Sequence, residues 1–366
     1  MSSPDQPVTS IEVRAYTIAT DAPEADGTFA WTETTIVVVH AGSGTVAGLG
    51  YSYADLATAR LVETKLAPIV HGADALSPPR AWERMVAAVR NLGRPGICSM
   101  AIAAMDIALW DLKARLLEVP LCALLGAVRD SVPVYGSGGF TSYDDLRLQQ
   151  QLSGWVERGI PRVKMKVGAE PQRDPLRVRR ARQAIGADAE LFVDANGAYS
   201  VPQALGLAED FAEQGAVCWF EEPVSSDDLA GLRAVRERVP AGMQVAAGEY
   251  GYDLPYFARM LDTEAVDVQQ ADVTRCAGIT ELLRVDALCR AHGRPLSLHC
   301  GPAVHAHAAT ALSQFVHLEY FHDHERIERM LFDGVLEPRN GALWPDLTTV
   351  GMGLELKQRA AQSVAA

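Results

Sequence analysis

Several absences narrow the reading of this chain first. No apolar run approaches the ~18–20 residues of a membrane span, and the opening residues MSSPDQPVTS lack the basic start and apolar core of a secretory leader. The six cysteines (Cys98, Cys122, Cys218, Cys276, Cys289, Cys300) stand singly, without a CxxC pair. That distribution argues against a disulfide framework and for free thiols in a reducing cytosol. Basic residues are in deficit, 33 Lys and Arg against 46 Asp and Glu, for a formal charge of −13. A nucleic-acid or anionic-membrane partner needs a basic face, so neither is expected. An anionic small molecule stays open, because local lysines or a metal can reverse the sign inside one pocket. Low-complexity segments and short repeats are also missing. A cytoplasmic enzyme is the expectation.

What is present supports a large core: 366 residues with 48% hydrophobic content. A barrel of about 200–250 residues plus a second domain suits that length. Ile11 to Ile18 alternates like a strand, and Thr34 to His40 and Thr45 to Tyr51 read as its antiparallel partners. The acidic stretch from Asp21 to Trp31 reads as a loop. Helical periodicity follows over Ala54 to Leu66, Pro79 to Leu92 and Ser99 to Leu117, the last apolar on more than one face and so expected to be buried. From Val132 onward, short apolar strands alternate with helices such as Asp174 to Ile185, Val201 to Gln214 and Ile279 to Ala291. Such alternation implies a parallel sheet. The expected organisation is an α+β capping domain over residues 1–125, a (β/α)8 TIM-type barrel over 126–336, and a C-terminal segment, 337–366, returning to the capping domain.

Along the barrel half, ionisable residues recur at a nearly constant interval. Lys166, Asp194, Glu221, Glu249, Asp272, His299 and Glu319 are separated by 28, 27, 28, 23, 27 and 20 residues. One strand, one helix and two loops require a step of that size. Most of these charges also end a short apolar stretch, which places them at successive strand ends on the C-terminal mouth of the barrel.

Asp194, Glu221 and Glu249 are three carboxylates on consecutive strand ends. Each alone would read as a helix cap or a surface charge. Together they would repel one another unless a hard cation with oxygen ligands, Mg²⁺, resolved the repulsion. Lys164 and Lys166 lie two apart on an extended segment, so both ammonium groups face one way. Their mutual repulsion is expected to depress a lysine pKa and make it a usable base. Asp272 and His299 sit one βα unit apart, where the carboxylate would orient the ring as a second acid/base group. A helix after the His299 strand is expected to carry His305 and His307 away from the mouth, and the same is expected of His322 and His324.

The ordered set Lys164-Met-Lys166, Asp194-Ala-Asn196, Trp219-Phe-Glu221-Glu222-Pro223, Gly248-Glu249, Asp272 with Gly278-Ile-Thr280, His299 and Leu318-Glu319 resembles the mandelate racemase group of the enolase superfamily. The segment Asp106-Ile-Ala-Leu-Trp110 is similar to that group too, so the likeness spans essentially the whole chain. The resemblance implies Mg²⁺ on Asp194, Glu221 and Glu249, with Glu222 in support. It implies Lys166 as the base on one substrate face, Lys164 as its neighbour touching the substrate carboxylate, and His299 with Asp272 as the acid/base opposite. Glu319, in protonated form, is implied to hydrogen-bond the carboxylate as it becomes an enediolate. Asn196 and Ser137 fall where the family contacts substrate. Two specificity loops, roughly Asp21 to Trp31 and Gly50 to Tyr53, would offer Trp31 and Tyr51 with Phe29 and Tyr53.

The activity so implied is removal of the proton α to a carboxylate, followed most often by dehydration of a sugar acid to a 2-keto-3-deoxy acid. Racemisation or epimerisation of a 2-hydroxy or amino acid is the alternative, and a catalytically silent relative a third. A barrel metallohydrolase would want several histidine ligands, and this set is all carboxylate. The missing Arg or Lys between Asp21 and Trp31 favours a small monocarboxylate substrate. A homo-oligomer is expected.

Overall fold

The computed structural model describes residues 6–364, so the outermost ends of the first and last expected segments, 1–5 and 365–366, lie outside the described residues. An antiparallel three-stranded sheet opens the chain, with β1 (Ser10–Ala25), β2 (Ala30–Ser43) and β3 (Val46–Tyr53) in sequence order. The Asp21 to Trp31 stretch is therefore not a loop. β1 and β2 pair out to Glu24↔Trp31 and Ala25↔Ala30, after a register irregularity between Ala19 and Glu24. Its polar composition reflects a hairpin exposed at its tip, although Ala22 and Trp31 pack against the cluster around Phe140 and Glu24 is buried.

The sheet rests on helix Ile97–Leu116, most of whose residues are fully buried. Burial on every side explains why this helix is apolar around its circumference rather than along one stripe. β3 approaches it closely: a Cβ on Gly48 would lie 2.2 Å from the Leu112 nitrogen, and one on Gly50 2.3 Å from the Ala104 oxygen. No side chain fits there. Gly50→Ala should lower stability by about 1–3 kcal/mol through forced separation of strand and helix, measurable by chemical denaturation. The segment expected as one helix from Ala54 to Leu66 runs on to Val70, with a π turn at Val62–Leu66.

Eight parallel strands then close a barrel: β4 (Val132–Gly138), β5 (Arg162–Lys166), β6 (Glu190–Asp194), β7 (Val217–Glu221), β8 (Gln244–Ala247), β9 (Val268–Ala271), β10 (Leu296–Leu298) and β11 (Phe315–Phe321). β11 pairs back onto β4 and completes the cylinder. The tail touches both units. Ala342–Leu343 pairs with β4, whereas Met352 and Glu355 are held by Asp111 and Arg115 of the buried helix. Among the described residues no helix is long and apolar enough to cross a membrane.

Strand register sorts the barrel interior into layers. Lys164 pairs with Phe192 and Phe192 with Trp219, while two residues further Lys166 pairs with Asp194 and Asp194 with Glu221. The two-residue side-chain period therefore sets a mainly aromatic layer below a charged one. Stacked Phe192 and Trp219, with Tyr135 and His317, fill the lower end. The charged layer faces the capping domain.

Candidate functional site

The loop after β9 is held by two helices of the capping domain, Ile97–Leu116 and Pro78–Ala88. Asp106 accepts from the backbone nitrogen and Oγ1 of Thr280 at 2.8 and 2.7 Å, Trp110 donates to Thr280 Oγ1, and Trp82 donates to the Ala277 carbonyl. Those contacts anchor the Asp272 to Thr280 loop, which borders the mouth. Above the mouth lies a cavity of about 420 Å³, lined from the barrel by Lys166, Asn196, Glu249, His299 and Glu319, and from the capping hairpin by Phe29 and Trp31.

Asp194, Glu221 and Glu249 are buried, and one oxygen of each lies within 4.8 Å of the others. Lysines hold part of this charge: Lys166 donates to Asp194 at 2.5 Å, and Lys164 to Glu221 at 2.5 Å and Glu319 at 2.8 Å. Trp219 Nε1 donates to the second oxygen of Glu221 at 3.0 Å. Burial, followed by the charge of Asp194, still pushes Glu221 up to about 8. An all-oxygen set that remains over-charged beside two ammonium groups fits a hard divalent cation. Beneath it Glu222 takes the left-handed conformation (φ +40°), and its buried Oε1 has no partner.

On the other side of the mouth His299 Nδ1 lies 2.8 Å from Asp272 Oδ2, and Asp272 Oδ1 accepts from Thr274 nitrogen and Oγ1. Burial disfavours an imidazolium, but Glu249 and Glu319 outweigh it and raise the His299 pKa.

Residues 11–126 match the mandelate racemase / muconate lactonizing enzyme N-terminal domain, and residues 147–360 match the enolase C-terminal domain-like family. The chain belongs to the mandelate racemase group of the enolase superfamily. A solved mandelate racemase/muconate lactonizing enzyme-like protein from Rubrobacter xylanophilus is 57% identical, with a TM-score of 0.97 over 98% of this chain and 100% of its own. L-talarate/galactarate dehydratase of Salmonella typhimurium is 32% identical over 321 residues, 86% of this chain and 78% of that protein. A racemase from Streptomyces coelicolor, solved with bound magnesium, is 27% identical at a TM-score of 0.92, covering 98% of this chain and 100% of its own.

Within that family frame several expectations need correction. The net shift of the two lysines is upward, not the expected depression. Burial and mutual repulsion both work against their charge, but Glu221 and Glu319 around Lys164, and Asp194 beside Lys166, hold both pKa values above the ordinary lysine value. Lys164 is wholly buried among carboxylates and does not line the cavity. Glu319 is not held protonated: burial alone would raise it, yet Lys164 and His299 pull it well below the usual carboxylate range. Ser137 is buried behind Glu319, donating to its Oε1 at 2.5 Å. Tyr51 is likewise buried, its hydroxyl donating to Glu328, while Tyr53 reaches the cavity instead. His324, expected away from the mouth, lines the cavity stacked on Tyr53. Asn196 and Trp31 do line it, and Asn196 Oδ1 is buried without a partner.

Among the lining residues that were not anticipated, two bear directly on the charged groups. Arg275 Nη1 donates to Glu249 Oε1 at 3.2 Å and its Nε lies 3.8 Å from Asp272 Oδ2, tying a member of the carboxylate set to the histidine's partner. Cys300 follows His299 directly, and that adjacency at a strand end was the available signal. Arg275 had no comparable one, since a loop arginine three residues past Asp272 is ordinary.

The hairpin over the cavity carries a titratable brace. Buried Glu24 accepts from Trp31 Nε1 at 2.9 Å, and its other oxygen has no partner. Burial, then the charge of Asp323, push Glu24 up to about 8, with Asp21 adding to the shift while the Trp31 bond and Arg326 oppose it. A raised carboxyl pKa means the stabilisation is complete below the ordinary value of 4.5 and is lost as pH rises through about 8. Trp31 emission and hydrogen exchange of the hairpin should therefore change near pH 8, and Glu24→Gln should remove the transition.

Proposed function

We propose that the chain is a Mg²⁺-dependent lyase that dehydrates a sugar acid to a 2-keto-3-deoxy acid. One observation supports it above the others: three buried carboxylates converge within 4.8 Å, with Lys166 hydrogen-bonded to one and the His299–Asp272 pair against another, and Lys166, Glu249 and His299 line one cavity. Asp194, Glu221 and Glu249 would hold the ion. Bound Mg²⁺ would supply a Lewis acid for the substrate carboxylate and take up the carboxylate charge that otherwise holds the proton on Lys166.

Lys166 removes the α-proton, and the C–H electron pair passes into the substrate as an enediolate. Such charge is stabilised best by groups already in place where it develops. Glu319 faces the cavity and touches Lys164 at 2.8 Å, so a Lys164 proton can be shared through it toward the new oxyanion. The β C–O bond then breaks, His299 gives its proton to the departing hydroxide as water, and the enol tautomerises to the keto acid. Asp272 holds the ring and balances its charge.

The capping side of the cavity brings Asp26, Glu33 and Asp55 with Thr34 and Tyr53, and no Lys or Arg. The barrel arginine, Arg275, is already paired with Glu249 and Asp272. A neutral hydroxylated tail suits that wall better than a second carboxylate, so the substrate class is an aldonate-type monocarboxylate. That sets the chain apart from the diacid chemistry in the name of the Salmonella relative. The competing reading is epimerisation, supported by the likeness to a racemase and by an acid/base group on each side of the mouth. A library of mono- and diacid sugars assayed for keto acid, with polarimetry on 2-hydroxy acids, separates them. Keto acid from aldonates is expected; inversion without keto product would establish an epimerase, and turnover of diacids alone would overturn the monocarboxylate assignment.

A further inference from the structure

A second group of metal-donor atoms meets at the ends of β10 and β11. Cys300 Sγ lies 3.3 Å from His299 Nε2 and 3.4 Å from Glu319 Oε2, and these two are 3.6 Å apart. Glu249 Oε2 stands 3.3 Å from the same Nε2 and is buried with no hydrogen-bond partner. A tetrahedral ion with bonds of about 2.0–2.3 Å to nitrogen, oxygen and sulfur has ligand–ligand edges of roughly 3.3–3.6 Å. The three separations among His299, Cys300 and Glu319, and that between Glu249 and His299, match those edges.

We propose that His299, Cys300 and Glu319, with Glu249 as a shared fourth ligand, form an inhibitory site for a thiophilic divalent cation of the Zn²⁺ class. Two features of the local backbone and hydrogen bonding prepare it. Cys300 takes the left-handed conformation (φ +51°), rarely adopted by L-residues, its carbonyl lies 2.7 Å from His305 Nδ1, and its thiol lies against His299 Nε2. His299 Nδ1 is already engaged by Asp272, so Nε2 faces the site, the carboxylate–histidine–metal arrangement that orients a ligating ring. Sulfur and imidazole select a soft ion, whereas Asp194 and Glu221 offer oxygen alone, so the two sites discriminate by donor chemistry while sharing Glu249. Binding converts the Cys300 thiol to a thiolate and releases its proton to solvent. Inhibition, as distinct from binding, rests on the proposed function, because the ion occupies both His299 and Glu319.

The protein in excess Mg²⁺ is titrated with Cd²⁺ as a spectroscopic probe and then with Zn²⁺. One equivalent of Cd²⁺ should produce a thiolate-to-metal charge-transfer band that Zn²⁺ bleaches and further Mg²⁺ does not. Cys300→Ser should abolish the band and weaken Zn²⁺ by at least about tenfold, the scale of a lost ligand or supporting group, while Cys218→Ser should retain it. Absence of the band in the unmodified protein, or its persistence in Cys300→Ser, would overturn the proposal without reference to how a variant folds. A band without turnover of any acid would instead count against the lyase assignment and leave the soft-metal site standing.

Discussion

Glu221→Gln is expected to lose turnover by at least about a thousandfold, ~4 kcal/mol of barrier, with the fold retained. Glu221 sits in the middle of the charged layer, in register with Asp194 and bonded by Lys164 and Trp219. An amide is nearly isosteric and can still accept from Trp219, so the layer stays packed. What it lacks is the charge that a divalent cation requires. A ligand that binds only the native state stabilises it by about 2.7 kcal/mol at a hundred times its dissociation constant. The variant should therefore show a loss of Mg²⁺-dependent rise in melting temperature alongside the loss of rate, with an unchanged circular dichroism spectrum. Full activity of the unmodified protein after exhaustive chelation would sink the metal assignment.

The second large effect concerns the division of labour between Lys166 and His299. With a true substrate in D₂O, His299→Asn should still exchange the α-proton but form keto acid about a hundred- to ten-thousandfold more slowly, the usual range for a lost general acid. Lys166→Ala should lose both exchange and product. The asymmetry follows from the proposed positions: Lys166 lies beside Asp194 on one side of the mouth, and His299 is oriented by Asp272 on the other. If the unmodified protein inverts without forming keto acid, and each variant exchanges the α-proton of one epimer only without inverting it, the enzyme is an epimerase. If neither exchange nor turnover changes in either variant, the chemistry lies elsewhere.

The rim residues were legible because most of them follow a short apolar stretch and the βα unit has a nearly constant length. Asp194, Glu221 and Glu249 needed only counting to be placed together. The hairpin from Asp21 to Trp31 was not legible, because its pairing is set by contacts between β1 and β2 rather than by an apolar face, and polar strands look like loops. Tyr51 and Tyr53 share one face of β3, so alternation could not choose between them. Tyr51 is two residues deeper, where it packs against Phe332 and bonds to Glu328, and Tyr53 stands at the strand end beside His324. Depth along a strand depends on where the neighbouring layer stops.

Periodicity and spacing are properties of the chain, so element types, the barrel and the identity of the converging charges could be read along it. The balance among those charges could not. Lys164 and Lys166 repel each other in any extended Lys-x-Lys, and that local fact pointed to depressed pKa values. Carboxylates arriving from β6, β7 and β11 reverse the outcome, because at 2.5 to 3.3 Å in a dry interior opposite charges outweigh one like neighbour. Cys300 turning onto His299, and Arg275 bridging Glu249 to Asp272, are decisions of the same kind. They depend on distances between strands, and only folding sets those.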